Sequence, residues 1–230
     1  MNVIVLKKAN SITNCALHST LKMNTLVVLI VLVAGATVVT PHGSITTPLA
    51  RTRIQDLPNW GGAQQPFWWD SQGVWCGNVQ QDVDVRTCGR CGDSPGNTHA
   101  NRGGRYDKGI ITGTYNAGQQ VNMVIQFAAN HRGGFWIELC NLNNGESDSC
   151  FNRLTVISAD RPIRPGNMVC SGNDQQNGPM NLRVQLPANF RCTRCTLRWT
   201  YRTSYPPAPD ACFNPNPAQT FRNCADIRIN

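Results

Sequence analysis

The sequence predicts an all-β protein, an antiparallel sandwich of immunoglobulin-like or fibronectin III-like type with long disulfide-pinned loops. Three observations carry that expectation. Stretches with apolar residues at alternate positions recur through the second half of the chain, turn residues separate them, and no stretch of convincing length has helical periodicity. The clearest pair is Val121–Ala128 and Phe135–Cys140, which read as half-buried strands, the alternation stopping between them at Ala128-Ala129-Asn130-His131-Arg132-Gly133-Gly134. The spacing adds strands at Gly109–Tyr115, Leu154–Ser158, Met180–Leu186, Thr196–Arg202 and Ala225–Asn230. Asn116-Ala117-Gly118, Asn143-Asn144-Gly145 and Arg164-Pro165-Gly166 supply turns between them.

Residues 1–41 read as a leader. Lys7, Lys8 and Lys22 precede the apolar run Leu26–Val39, which suits a signal-peptide core better than a membrane anchor because it falls short of the roughly 20 residues a bilayer needs. Met23 offers an alternative start. Residues 42–230 then form a single domain, long enough for a real core. Two cleavage points compete: Ala34-Gly35-Ala36 has the small-x-small pattern and would leave Thr37 first, whereas cutting before His42 places Pro41 last in the leader.

Eleven cysteines leave ten once Cys15 departs with the leader: Cys76, Cys88, Cys91, Cys140, Cys150, Cys170, Cys192, Cys195, Cys212 and Cys224. An even, dense set behind a secretory leader argues for an oxidising compartment, a secreted extracellular protein and about five disulfides, with pairings that the sequence does not fix. Cys88–Cys91 and Cys192–Cys195 are C-x-x-C pairs about a hundred residues apart, too distant for a zinc ribbon, so they are assigned to disulfides. Without the leader the chain has eighteen cations against thirteen acids, a net charge of +5, and the seventeen arginines are scattered rather than clustered. That pattern argues against nucleic-acid binding.

From Gly43 to Gly103 periodicity is poor, and long loops with short helical turns are expected over the sheet. Trp60, Trp68, Trp69 and Trp75 punctuate this stretch. They suit either a local core or a face that stacks on sugar rings, the core being favoured.

The sequence contains no Ser/His/Asp set, no phosphate-cradling glycine loop and no convincing pair of glycosidase carboxylates. It offers instead His131 at the rim of a predicted sheet and His42 where a processed chain would begin. A terminal histidine chelates through its α-amino nitrogen and its imidazole together, and a second imidazole from His131 would complete three nitrogens. Such a set favours a late first-row divalent ion, copper most strongly, with positions left open for dioxygen or peroxide. His99, in a Gly/Asn-rich loop, ranks a distant second as a ligand.

Beyond this chemistry, a His-Gly start at 42, CGRCGD at 88–93, GGRYDKGII at 103–111, ANHRGGFWIELC at 129–140, LPANFRCTRCTLRWTYR at 186–202 and QTFRNCADIRI at 219–229 occur in order. Together they resemble a lytic polysaccharide monooxygenase of auxiliary-activity family fifteen, over nearly all of residues 42–230. The resemblance implies an immunoglobulin-like sandwich with one copper ion per chain in a histidine brace. It also implies oxidative cleavage of β-1,4-linked glycans, chitin or cellulose, at C1 or C4. By position, His42 and His131 are the metal ligands, Ala129 crowds one axial side, Phe221 occupies the other, and Gln219 stands where relatives carry Glu. Pro206-Pro207-Ala208-Pro209 is a further departure, since relatives tend to glycine there. The partners implied are a crystalline polysaccharide and an external electron donor. After leader removal the protein is expected to be a monomer with no membrane or nucleic-acid partner. The alternatives are a non-catalytic secreted carbohydrate-binding or cell-wall protein on the same sandwich, and a disulfide-rich effector without metal.

Overall fold

The computed structural model describes residues 42–58, 74–75, 88–141, 145–173, 176–204, 212 and 219–230, all within the unit that runs from Pro41 to Asn230. The predicted leader 1–41, Trp60, Trp68, Trp69, Cys76, Asn143 and Asn144 of a predicted turn, the side chains of His42 and Trp75, and the 206–209 loop lie outside the described residues. Twelve strands follow in order: β1 (His42–Thr47), β2 (Val74–Trp75), β3 (Gly113–Tyr115), β4 (Gln120–Ala129), β5 (Gly134–Asn141), β6 (Asn152–Arg153), β7 (Thr155–Ala159), β8 (Ile163–Arg164), β9 (Met168–Cys170), β10 (Gly178–Gln185), β11 (Cys192–Arg202) and β12 (Thr220–Ile229). A four-stranded sheet has the order β1-β4-β10-β7. An eight-stranded sheet has the order β2-β12-β11-β5-β9-β8, with β3 beside β12 and β6 beside β5. Every pairing is antiparallel except β3 with β12.

The core lies between the sheets, where alternate residues of each strand point inward. Val121, Met123, Ile125 and Phe127 of β4, with Met180, Leu182 and Val184 of β10, face Phe135, Ile137 and Leu139 of β5, Leu197, Trp199 and Tyr201 of β11, and Phe221, Ala225 and Ile227 of β12. Each large apolar side chain sealed there contributes about 1.5–3 kcal/mol. The expected sandwich is therefore the observed fold, and helices among the described residues are 3₁₀ turns such as Arg51–Asp56. No helix among them is long and apolar enough to cross a membrane.

Two expectations need correction. The loop assigned from Gly43 onward begins with strand β1, which its sequence hides because only Ile45 among HGSITT is a large apolar residue. The last strand starts at Thr220 rather than Ala225, because the outward residues Arg222, Cys224 and Asp226 are buried too. Loops cover the outer face of the larger sheet, so alternation in polarity no longer tracks exposure there.

Ion pairs and disulfides fasten that cover. Arg51 donates to Asp226 at 2.7 and 2.8 Å and to Glu146 at 2.9 Å, and all three side chains are about 2% exposed. Burial lowers the Arg51 pKa, but the two carboxylates more than offset it and hold the guanidinium firmly charged. Arg194 joins Asp226 to Asp107, and Arg198 pairs with Glu138 at 2.8 Å while stacking over Phe151. Disulfides join Cys91–Cys224, Cys140–Cys150, Cys170–Cys212 and Cys192–Cys195, and Cys88 is disulfide-bonded as well. The disulfide assignment of the C-x-x-C motifs thus holds, although only the second pairs internally.

Candidate metal centre

The start of β1, the end of β4, the start of β5, the end of β11 and the start of β12 meet at one end of the sandwich, as their registers require. His42 pairs with Ala129, while Gly43 pairs with Phe127, so Ala128 is an extra residue on β4 at this point. Such a bulge re-aims the chain beside it. Two residues beyond Ala129 comes His131, in the turn to β5. The backbone therefore brings the two sequence-predicted ligands to the same rim, with only small residues on the β4 side between them.

The His131 turn is rigidly held. Its N–H donates to the Tyr201 hydroxyl at 3.1 Å and its carbonyl accepts from Ser204 N–H at 3.2 Å. The Tyr201 hydroxyl in turn reaches the Arg132 carbonyl and, at 3.0 Å, Asn130 Oδ1, and donates its single proton to one of them. Asn130 is buried; its side chain donates to the Ser171 carbonyl at 2.6 Å and its N–H donates to Asn177 Oδ1 at 2.8 Å. Arg132 (φ 52°) and Gly133 (φ 91°) are consecutive left-handed residues. Only glycine fits the second of these, since a Cβ there would sit 2.1 Å from the Arg202 carbonyl oxygen. His131 itself is half-buried.

The other predicted site residues fall close by in the fold. Ala129 ends β4 half-buried. Phe221 lies on the inward face of β12, 1% exposed, directly across from Tyr201, with ring centroids 5.9 Å apart. Gln219 immediately precedes β12 and exchanges hydrogen bonds with Thr203, giving its N–H to Thr203 Oγ1 and accepting the Thr203 N–H, each at 2.9 Å. His99 belongs elsewhere: it packs edge-on against Tyr106 in the loop that Cys91–Cys224 pins to the outward side of β12. Sequence reasoning missed Tyr201 and Asn130, which hold the His131 turn. A tyrosine in an inward row, where its hydroxyl needs a partner, was the available signal.

The sequence family described as "Lytic polysaccharide mono-oxygenase, cellulose-degrading" matches residues 42–227, beginning at His42. No curated protein matches the sequence. Among solved structures, "Lytic Polysaccharide Monooxygenase AA15 from Thermobia domestica in the Cu(I) State" is similar at 30% identity and a TM-score of 0.65, with 82% of this chain and 98% of that chain covered. A similar fold at 30% identity over that span, and a family match that starts at the histidine opening β1, lead to one assignment: this chain belongs to the lytic polysaccharide monooxygenases, in auxiliary-activity family fifteen.

Proposed function

We propose that the processed chain begins at His42, is secreted, and is a copper-dependent monooxygenase that cleaves β-1,4-linked polysaccharide, cellulose or chitin, at C1 or C4. The observation that carries this reading is the pairing of His42 with Ala129, which sets the first residue of β1 beside the His131 turn. The residues fit a copper ion: an amine and two imidazoles are the donors this metal prefers, and Ala128 and Ala129 add no bulky side chain on the β4 side of them. His42 supplies the amino nitrogen and one ring nitrogen, and His131 the other ring nitrogen, for one ion per chain. Copper held there supplies the one-electron redox chemistry, with dioxygen or peroxide and an external reductant, that removal of hydrogen from a sugar C–H requires.

The chain's own residues do the rest. Tyr201 and Ser204 hold both peptide groups of His131, so the side chain that would hold the ion starts from a fixed backbone. Phe221 closes the inward side with an apolar ring that offers no oxygen ligand. Ala129 leaves the opposite side narrow. Gln219, whose backbone is fixed to Thr203, would contribute a hydrogen bond from its amide without adding charge. The site stands at the end of a disulfide-fastened sandwich, a geometry suited to lying against a crystalline polymer.

Amino-terminal sequencing of the secreted protein, followed by copper titration and product mass spectrometry on cellulose and chitin with reductant and peroxide, tests the proposal. A start at His42, tight copper binding and oxidised oligosaccharides are expected. A start at Thr37, or no copper uptake by protein that does start at His42, refutes it.

A further inference from the structure

Strand β1 is the edge of the four-stranded sheet, and its peptide groups that point away from β4 face no neighbouring strand of that sheet. Two of them, the Gly43 carbonyl and the Ile45 N–H, are met by one side chain from the other sheet. Asn223 donates its Nδ2 to Gly43 O at 3.3 Å and accepts the Ile45 N–H on Oδ1 at 2.9 Å. Its primary amide thus does what a strand residue would do, offering one donor and one acceptor to residues i and i+2 of an edge. Asn223 is wholly buried on β12, opposite Trp199, in an inward row whose other members are Phe221, Ala225 and Ile227. A polar side chain in such a row destabilises the core unless it is bonded, so packing alone gives no reason for it.

Gly43 fixes the strand from the other side. A Cβ there would lie 3.1 Å from Trp199 Cη2 and 3.2 Å from Phe127 Cδ1, so the backbone rests directly on the aromatic core. One residue upstream the pairing slips at Ala128, and His42 arrives opposite Ala129. From these contacts we infer that Asn223 is a positioning residue for the metal centre: it locks β1 to β12 so that the amine and ring of His42 are delivered to the His131 turn. The inference rests on the reading of His42 and His131 as copper ligands. It also pairs Asn223 with Tyr201, which anchors the His131 turn from the same inward face two residues further along β11 than Trp199. Each ligand-bearing segment is therefore referenced to the same two strands of the larger sheet, although His42 lies on the smaller sheet and His131 in the turn that leaves it.

The test uses the processed protein starting at His42, with Asn223→Leu, close in size and without the amide, and Asn223→Asp, which keeps the acceptor for Ile45 but not the donor for Gly43. Copper(II) affinity by competition titration and the copper(II) spin-resonance spectrum are measured beside thermal unfolding. Expected are a loss of affinity of about tenfold or more for Asn223→Leu, a smaller loss for Asn223→Asp, and a changed spectrum in each. A lowered melting temperature with affinity and spectrum unchanged would mean a purely structural asparagine and would overturn the inference. If the unmutated protein takes up no copper, the reading of the site falls, and the inference with it. Should neither variant fold, hydrogen exchange of the unmutated protein decides: the Ile45 amide is expected to be as protected as the amides of β4, and rapid exchange there would overturn the clamp.

Discussion

Replacing Tyr201 by phenylalanine removes one oxygen atom from the inward face of β11 and leaves the ring in place. That oxygen accepts the His131 N–H, and its proton goes to the Arg132 carbonyl or to Asn130 Oδ1. Tyr201 is fully buried, so water does not replace the hydroxyl without local opening. Taking away the partner of a buried peptide group costs about 1–3 kcal/mol, and no cavity term is added because the ring volume is kept. A loss of about 2 kcal/mol lowers the melting temperature of a domain this size by about 4–8 °C. Because the bonds lost are those that aim the His131 turn, copper(II) affinity should fall by about tenfold or more along with stability. Differential scanning calorimetry of the metal-free protein and competition titration with copper measure the two effects separately. An unchanged melting temperature together with unchanged affinity would refute the claim that the Tyr201 hydroxyl fixes the site.

Arg51→Met leaves Asp226 and Glu146 buried without their shared cation, and should destabilise the fold by about 3–5 kcal/mol in denaturant titration. Gly133→Ala meets a left-handed φ and the Arg202 carbonyl; a loss of at least about 1–3 kcal/mol is expected, with weakened copper binding in the same preparation. Burial raises the pKa of Asp107, but the N–H groups of Gly103 and Gly109 and the Arg194 guanidinium outweigh it and hold the carboxyl below the usual aspartate range. A depressed folded-state pKa gives stability that is present above the ordinary aspartate value and lost as pH falls through the lower one. Asp107→Asn should therefore reduce stability at neutral pH and flatten the acid limb of the stability profile below about pH 4. A limb of unchanged steepness would count against this assignment.

Strands with one face on the core were legible, and those covered on both faces less so. Val121, Met123, Ile125 and Phe127 alternate with partly exposed neighbours, so β4 could be read directly. In β12 the outward Arg222 and Asp226 are buried along with the inward Phe221, because distant loops bring Cys88 O and Arg51 to them. No local pattern encodes such a cover. The proposed ligands were visible as types, a histidine in a glycine-flanked turn and another at a candidate start, but the approach of their backbones depends on the β1–β4 register. That register is set by Ile45 in the core, by the lack of room at Gly43 and by a bond from Asn223, 178 residues further along than Ile45. The supporting residues Tyr201 and Asn223 look in sequence like ordinary members of two strands. Their roles exist only where the sheets face each other.

Strand β1 has a practical consequence for anyone producing the protein. Its first residue, His42, sits at the end of an edge strand, where the β1–β4 register among the described residues begins. Without metal, a recombinant form carrying an initiator methionine or a scar from a purification tag is expected to melt, elute and scatter like one that starts at His42. Yet its His42 nitrogen would be an amide. On the proposed reading, quality control by folding alone would pass a preparation lacking the amine ligand, and the mass of the amino-terminal peptide or a copper titration would tell the two apart.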